Sequence, residues 1–222
     1  MSFIEQIAEA FKGTPPIDPA TFKDPIALQT SWDPLKRGGS NFRTHKAVQV
    51  DGNRIEFKVS KSVWFFSGIF ILMPVIFGIF MLVTNAYYAK IITLSGIKEN
   101  IAPIAILMIF VVVGIVVAVS LGKPRVFDKS YGYYWKGKQG GGDPMSPAAI
   151  EGGVPLSDIH ALQIVSEWVS GNKTHYRSYE LNLVLRSGQR VNVVDHGNKK
   201  ALLEDAQMLA QFLNVPLWNA AI

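Results

Sequence analysis

The sequence predicts a membrane protein of the α+β class, in which two transmembrane helices carry a cytoplasmic β-domain that is closed by a C-terminal helix. Three observations predict this class. Two long apolar runs without a charged residue lie in the middle of the 222-residue chain. Short alternating segments typical of strands flank these runs, and a segment of helical period follows the last predicted strand.

The two apolar runs are the strongest signal in the sequence. They extend over residues 63–83 and 101–121, and neither contains an Asp, Glu, Lys, Arg or His. A helix needs about 20 predominantly apolar residues to cross the hydrocarbon core of a bilayer. We therefore expect residues 62–121 to form a transmembrane helical hairpin.

Lysine and arginine flank the predicted spans unevenly. Those before the first span are Lys46, Arg54, Lys58 and Lys61, and those after the second are Lys123, Arg125, Lys129, Lys136 and Lys138. The predicted loop between the spans contains only Lys90 and Lys98. Because cytoplasmic loops are enriched in Lys and Arg, this asymmetry predicts that both termini are cytoplasmic.

The interior of the spans argues against a transporter or channel that works as a monomer, because pumps and ion paths usually place ionisable side chains within the membrane.

Pro74 is expected to kink the first helix. Pro103 is expected in the first turn of the second helix, where its missing N–H costs little. Gly114 and Ala118 form a small-xxx-small pair, which permits close approach of another helix and thereby a homo-oligomer.

The N-terminal part of the chain contains three predicted segments. Residues 1–13 form an amphipathic helix with Phe3, Ile7 and Phe11 on its apolar stripe, and this stripe docks on the protein's own domain, in a partner's groove or on the membrane surface. Residues 14–40 contain several prolines and are predicted to be a linker. Residues 41–61 form a β-hairpin around Asp51-Gly52-Asn53 that joins the cytoplasmic β-domain.

The C-terminal part, residues 122–222, alternates in the manner of strands and ends in a helical pattern. Tyr131, Tyr133 and Trp135 fall on one face of the first predicted strand. Such a row can stack nucleobases, but at period 2 it is more often a packing face, and no nucleic-acid partner is expected. The apolar positions from Ala201 to Leu213 recur at helical period, and Asn198 is a suitable N-cap for that helix.

Candidate chemistry is sparse. The chain has no cysteine, which excludes disulfides, thiolate zinc sites and cysteine nucleophiles. Its histidines never fall at the i, i+4 spacing of two ligands on one helix face, so neither a metal nor a cofactor is predicted. Asp195-His196 suggests general-base chemistry at first sight. Because Asn198 begins a helix, the pair is predicted to be the corner between a strand and that helix, and no catalytic residue is assigned.

Several antiparallel strands closed by one amphipathic helix resemble a pleckstrin-homology-like (PH-like) barrel, here on a two-helix anchor. The succession of two spans, FDKSYGYYWKG, VPLSDIHALQI, YELNLVLRSGQRVNVV and NKKALLEDAQMLAQFLNVPLW also resembles the photosystem I assembly protein family of chloroplasts and cyanobacteria, and bacterial membrane proteins with PH-like domains. The likeness extends over roughly residues 63–218 and is most specific in LAQFLNVPL. It implies an assembly or scaffold protein of the bacterial inner membrane, without catalytic residues.

The expected function is a membrane-anchored interaction or assembly module, with membrane lipids and other membrane proteins as partners. A reader of lipid head groups, or a sensor of the membrane surface, is the alternative. Its contacts are predicted to be Lys123, Arg125, Lys129, Lys136 and Lys138, although the bias that sets membrane orientation accounts for the same residues. An enzyme needs a constellation of catalytic side chains that the sequence does not supply.

Overall fold

The structure is a computed structural model that describes residues 17–87, 94–137, 152–170 and 175–221, with side chains left undescribed over 85–100. Two predictions lie outside these residues: the amphipathic helix over 1–13 with Phe3, Ile7 and Phe11, and the surroundings of Lys138. The chain divides into a helical unit, Val59–Lys123, and a β-rich unit formed from the chain on both sides of it.

The helices and strands confirm the α+β class. The helices are α1 (Pro25–Gln29), α2 (Lys61–Tyr87), α3 (Leu94–Leu121) and α4 (Lys199–Leu213). The strands are β1 (His45–Asp51), β2 (Arg54–Val59), β3 (Arg125–Asp128), β4 (Tyr133–Lys136), β5 (Val154–Pro155), β6 (Ile159–Ser170), β7 (His175–Leu185), β8 (Arg190–His196) and β9 (Leu217–Asn219).

The helical unit consists of α2 and α3, which are long and apolar enough to cross a membrane. Mean hydropathy is 2.5 for Lys61–Thr84 and 3.2 for Ile101–Leu121, and only 11% and 6% of an apolar 18-residue stretch within each is buried. A core helix of a soluble protein buries its apolar side chains, whereas Phe65, Met73 and Val116 are exposed here. The two helices therefore favour association with a membrane.

Within this unit the two helices pack closely at Gly114. A β-carbon on Gly114 would lie 2.7 Å from Ile71 Cγ1 and 3.2 Å from the carbonyl oxygen of Ser67. The glycine thus lets α2 and α3 approach each other within one chain. The expected place of Pro103 in a first helical turn is wrong, because α3 starts at Leu94, in polar residues that precede the apolar run.

The strands form two sheets, so the predicted closed barrel is corrected. Sheet A has the order β1-β2-β3-β4-β5 and sheet B the order β8-β7-β6-β9. β2 pairs antiparallel with β3, with Ile55 opposite Phe127, so sheet A contains strands from both sides of the helical segment. No strand pairing links the two sheets within the described residues. At the free edge of β8, side-chain donors bind the carbonyl oxygens of Val193 and Asp195.

The main core lies between the two sheets and α4. Its fully buried side chains include Phe57, Phe127, Leu162, Leu181, Leu202 and Leu209. Asn198 caps α4, since its side chain accepts a hydrogen bond from the Ala201 N–H at 2.9 Å, and Asn214 ends the helix with a φ of 56°. The predicted terminal helix, with its leucine face turned into the core, is confirmed.

The aromatic row of sheet A packs on the face opposite to this core. Trp135 is 3% exposed and contacts Val126, and Tyr131 and Tyr133 pack against this pair. Arg54 lies over the Trp135 ring, 5.6 Å from its centre. The row is therefore a packing face, as expected from its spacing.

Residues 17–40, the described part of the predicted linker over 14–40, pack against sheet B. Phe22, Ala27 and Trp32 form a second apolar cluster with Trp218 of β9, and the Phe22 and Trp32 rings stack at 4.9 Å. Asp24 Oδ2 lies 2.7 Å from His160 Nε2. Proline spacing indicates a loop, but the aromatic side chains between the prolines attach that loop to the sheet.

Candidate interaction site on sheet B

The basic residues predicted as lipid contacts lie in different surroundings. Arg125 and Lys136 are cross-strand partners in sheet A. Lys129, beyond the other end of β3, places its Nζ 4.4 Å from the centre of the Phe212 ring. Lys123 is exposed at the end of the helical unit, and Lys138 lies outside the described residues. Among the described members of the set, the structure brings Arg125 and Lys136 together.

Arg125 joins sheet A to the free edge of sheet B. Its Nε donates to the carbonyl oxygen of Val193 at 2.9 Å, and its Nη1 contacts His45 Nε2. Since a guanidinium cannot accept, His45 Nε2 accepts and Nδ1 carries the proton toward Thr44 Oγ1, 3.0 Å away. The Thr44 hydroxyl in turn donates to the carbonyl oxygen of Asp195 at 2.9 Å. Side-chain donors thus satisfy two carbonyl oxygens at the β8 edge, and the guanidinium acts as a structural joint.

Asp195-His196 is the strand-to-helix corner, as predicted. Consecutive strand residues point to opposite faces, so the carboxylate of Asp195 cannot orient the imidazole of His196. His196 is fully buried, and its Nδ1 accepts a hydrogen bond from the Asn198 N–H at 3.3 Å. Burial and the nearby Arg43 charge lower the pKa of His196 to about 4. The neutral imidazole is part of the core.

A charged group surrounds the Asp195 side chain. Burial and the neighbouring Glu180 raise the pKa of Asp195 to about 6. A hydrogen bond that Asn192 Nδ2 donates at 2.9 Å and the charges of two lysines act in the opposite direction and lower it. Lys136 is exposed as a whole residue, yet desolvation of its ammonium, with the charges of Arg125 and Lys36 nearby, lowers its pKa to about 8. Neighbouring side chains whose pKa values are shifted in this way, an acid upward and a base downward, mark either a functional site or a structural ion network.

We expect Asp195→Asn to stabilise the protein at pH 7 and to have little effect at pH 4. The native pKa of about 6 exceeds the ordinary value of 3.8, so the folded state holds this proton more tightly. Asp195 therefore contributes stability below pH 4 that is lost as pH rises through 6. The asparagine avoids that loss, and the gain at pH 7 should be roughly 2 to 3 kcal/mol. Urea unfolding of both proteins at the two pH values measures it, and an equal effect at both would contradict it.

A segment that we call the strap, residues 31–44, crosses the face of sheet B opposite to the main core. Sheet side chains bind its main chain in order along the segment. Gln163 donates to Ser31 O at 3.0 Å, Arg190 to Asp33 O at 2.7 Å, Tyr176 to Gly39 O at 2.7 Å and Ser178 to Ser40 O at 3.2 Å. Glu180 accepts from the Leu35 and Lys36 N–H groups at 3.1 Å each, and Glu167 accepts from the Gly38 N–H at 2.9 Å.

Beneath the strap, three amide side chains form a row across sheet B. Gln163 pairs with Asn182, and Asn182 pairs with Asn192 on the next strand. Asn182 is fully buried, and neither its Nδ2 nor its Oδ1 has a hydrogen-bond partner among the described residues. A buried amide without hydrogen bonds is costly, so this side chain has unused capacity to bind a polar group. In the part of the chain that is described, no group of His, Cys, Asp and Glu is arranged to hold a metal.

Sequence reasoning missed this face because polar residues at alternate positions of a strand ordinarily indicate solvent exposure. Glu180, Asn182 and Gln163 are buried instead, since the strap covers them. The available signal was the placement of carboxylates and amides on three predicted neighbouring strands, next to a segment with little periodicity. Comparison of the chain with family models, with curated proteins and with solved structures finds no match in any of the three.

Proposed function

We propose that this protein is a membrane-anchored, non-catalytic interaction module that acts as a scaffold for assembly of a membrane protein complex. In this proposal α2 and α3 span a bacterial inner membrane, and the β-rich unit is a PH-like domain in the cytoplasm. The observation that carries the proposal is the connection of both ends of the apolar helical pair to β2 and β3, which are paired neighbours in sheet A.

The chain passes from β2, which ends at Val59, into α2 at Lys61, and from α3, which ends at Leu121, into β3 at Arg125. Under this proposal, two short links to adjacent strands join the β-rich unit to its membrane anchor, rather than one flexible linker. This arrangement suits a scaffold better than a diffusing enzyme. The resemblance to the photosystem I assembly protein family supports the same class of role.

We expect reporter fusions to place positions near Gly38 and Trp218 in the cytoplasm and Ser95 on the opposite side. The physical reason is the excess of Lys and Arg outside the apolar pair compared with the segment between its helices. Alkaline phosphatase and fluorescent protein fusions at the three positions give opposite readouts on the two sides of the membrane. A cytoplasmic Ser95 would contradict a double span.

The scaffold function is tested by crosslinking in cells, followed by purification of the tagged full-length chain in mild detergent. We expect defined membrane proteins to be enriched over a control in which α2 and α3 carry an unrelated soluble domain. The Leu209→Asp variant, which is expected to disrupt the β-rich unit while it retains both helices, should no longer enrich these membrane proteins. Equal enrichment with the control chain would refute the proposal.

The second candidate function is binding of an anionic lipid head group. It is favoured by the adjacent cationic side chains of Arg125 and Lys136, with Lys36 close enough to depress the pKa of Lys136. Native mass spectrometry of full-length protein reports the lipids that remain bound. Under this candidate, phosphatidylglycerol is retained over phosphatidylcholine, Lys136→Gln abolishes the preference, and the matched Lys129→Gln leaves it unchanged.

A further inference from the structure

The strap is held in the manner of a bound peptide. Between Asp33 and Ser40 its hydrogen bonds with sheet B run through main-chain N–H and C=O groups, while sheet B contributes side chains. The carboxylate of Glu180 divides its two oxygens between consecutive N–H groups. Such contacts recognise an extended polypeptide through features that every sequence shares, so specificity for the strap's own side chains is low.

The strap can lift from this face of sheet B at a low cost in free energy. Gln163, Ser178, Glu180, Asn182 and Asn192 are buried on it, and water can satisfy all of them once the strap lifts. The apolar core is on the opposite side of the sheet and would remain covered. The strap also stays attached at both ends, through Trp32 in the aromatic cluster and through Thr44 at the β8 edge. Lifting of the central part therefore costs far less than removal of a core element.

The face also has recognition capacity that the strap leaves unused. Asn182 lies next to Gln163 and on the same face as Glu180, two strand positions away. Its Nδ2 and Oδ1 match the C=O and N–H of one residue in an extended segment, since these two groups point to the same side of the chain. A peptide seated more deeply than the strap would gain these two hydrogen bonds.

We propose that this face of sheet B is a binding site for an extended polypeptide segment of a partner protein, which the strap occupies in the absence of that partner. The main chain of the ligand is recognised by the side chains of Gln163, Glu167, Tyr176, Ser178, Glu180 and Arg190. Asn182 adds hydrogen bonds when the ligand is seated more deeply than the strap. This inference rests on the proposed interaction function and names the surface and the chemistry of the partner.

Gly39 provides a means to open or lock the strap. A β-carbon on Gly39 would overlap the Ser178 hydroxyl and lie 2.9 Å from Ser178 Cβ, so Gly39→Val, with two further methyl groups, forces the strap away from Ser178. Gly52 has nothing within 4 Å of such a carbon, which makes Gly52→Val the matched control. Because the chain has no cysteine, Gly39→Cys with Ser178→Cys introduces a single bridge, whose usual Cβ separation of about 3.5 to 4.5 Å needs only a small outward shift of the strap.

The test is fluorescence anisotropy with purified full-length protein in mild detergent and a labelled synthetic peptide of residues 31–43. We expect Gly39→Val to bind the peptide about tenfold more tightly than wild type or Gly52→Val, because a vacated site is no longer competed for in cis. Adding Glu180→Gln should weaken the binding. Alanine in place of Leu35, Lys36 and Arg37 in the peptide should be tolerated, whereas N-methylation at Leu35, Lys36 and Gly38 should abolish binding.

The cysteine pair supplies a test that does not depend on how well Gly39→Val folds. The oxidised protein should not bind the peptide, and reduction of the same protein should restore binding. Equal binding in the two redox states, or binding of the N-methylated peptide, would overturn the proposal. These outcomes leave the crosslinking experiment untouched, so failure of this site and failure of the scaffold function are distinguishable.

Discussion

Leu209→Asp should unfold the β-rich unit. Leu209 is 0% exposed in the core between α4 and the two sheets, and its burial contributes roughly 1.5 to 3 kcal/mol. The substitution also places a carboxylate without a partner in an apolar environment, so we expect a total loss of about 4 kcal/mol or more. Domains are typically stable by about 5 to 15 kcal/mol, so the loss is a large share of the whole.

Met208→Asp is the matched control, because it introduces the same charge one residue away, at a position that is 37% exposed. Limited proteolysis and urea unfolding of the two full-length variants give the comparison. We expect Met208→Asp to match wild type within about 0.5 kcal/mol, as is usual for surface changes. If Leu209→Asp were as protease-resistant as Met208→Asp, the docking of α4 described above would be wrong.

Arg43→Met should be the next most damaging change. Arg43 Nη2 donates to both carboxylate oxygens of Asp205 at 2.8 and 2.6 Å, and the Asp205 side chain is only 5% exposed. Removing the guanidinium leaves that carboxylate buried without its cation, which costs about 3 to 5 kcal/mol. Burial already raises the pKa of Asp205 against the opposing effect of Arg43, so the desolvation cost is present in the native protein.

Two further variants separate the ion pair from other contacts of Arg43. Lys200→Met removes an exposed cation from the start of α4 and should be nearly neutral. Arg43→Met combined with Asp205→Leu replaces the pair by apolar side chains and should recover most of the lost stability. A double variant as unstable as Arg43→Met in urea unfolding would show that the carboxylate is not the source of the loss.

The strap and the β8 joint give the N-terminal part of the chain a role in the β-rich unit. Thr44 and Arg43 attach the end of the strap to β8 and to α4, and Trp32 attaches its beginning to the sheet. A chain truncated before β1 would lose these contacts, including the N–H donors that Glu180 and Glu167 now bind. Functional experiments therefore need the full-length protein.

Several elements followed from sequence because local rules decide them. The two apolar helices are set by length and uncharged composition, the hairpin of β1 and β2 by alternation around Asp51-Gly52-Asn53, and α4 by its period and the Asn198 cap. The assignment of Asp195-His196 to a corner followed from the same cap. For each of these, the energetic preference resides in neighbouring residues and needs no partner from elsewhere in the chain.

Tertiary structure decided the remaining features. The edge of β8 accepts hydrogen bonds from the Thr44 and Arg125 side chains, which are about 150 and 70 positions away in sequence. No local sequence pattern predicts that these side chains, rather than another strand, bind this edge. The burial of Glu180 and Asn182 likewise depends on the strap, which has no hydrophobic periodicity. Polar residues at these positions therefore predicted solvent exposure, whereas the Glu180 carboxylate in fact binds the main chain of the strap. Hydrophobic periodicity determines which face of an element is apolar, whereas satisfaction of buried polar groups is settled only when distant segments meet.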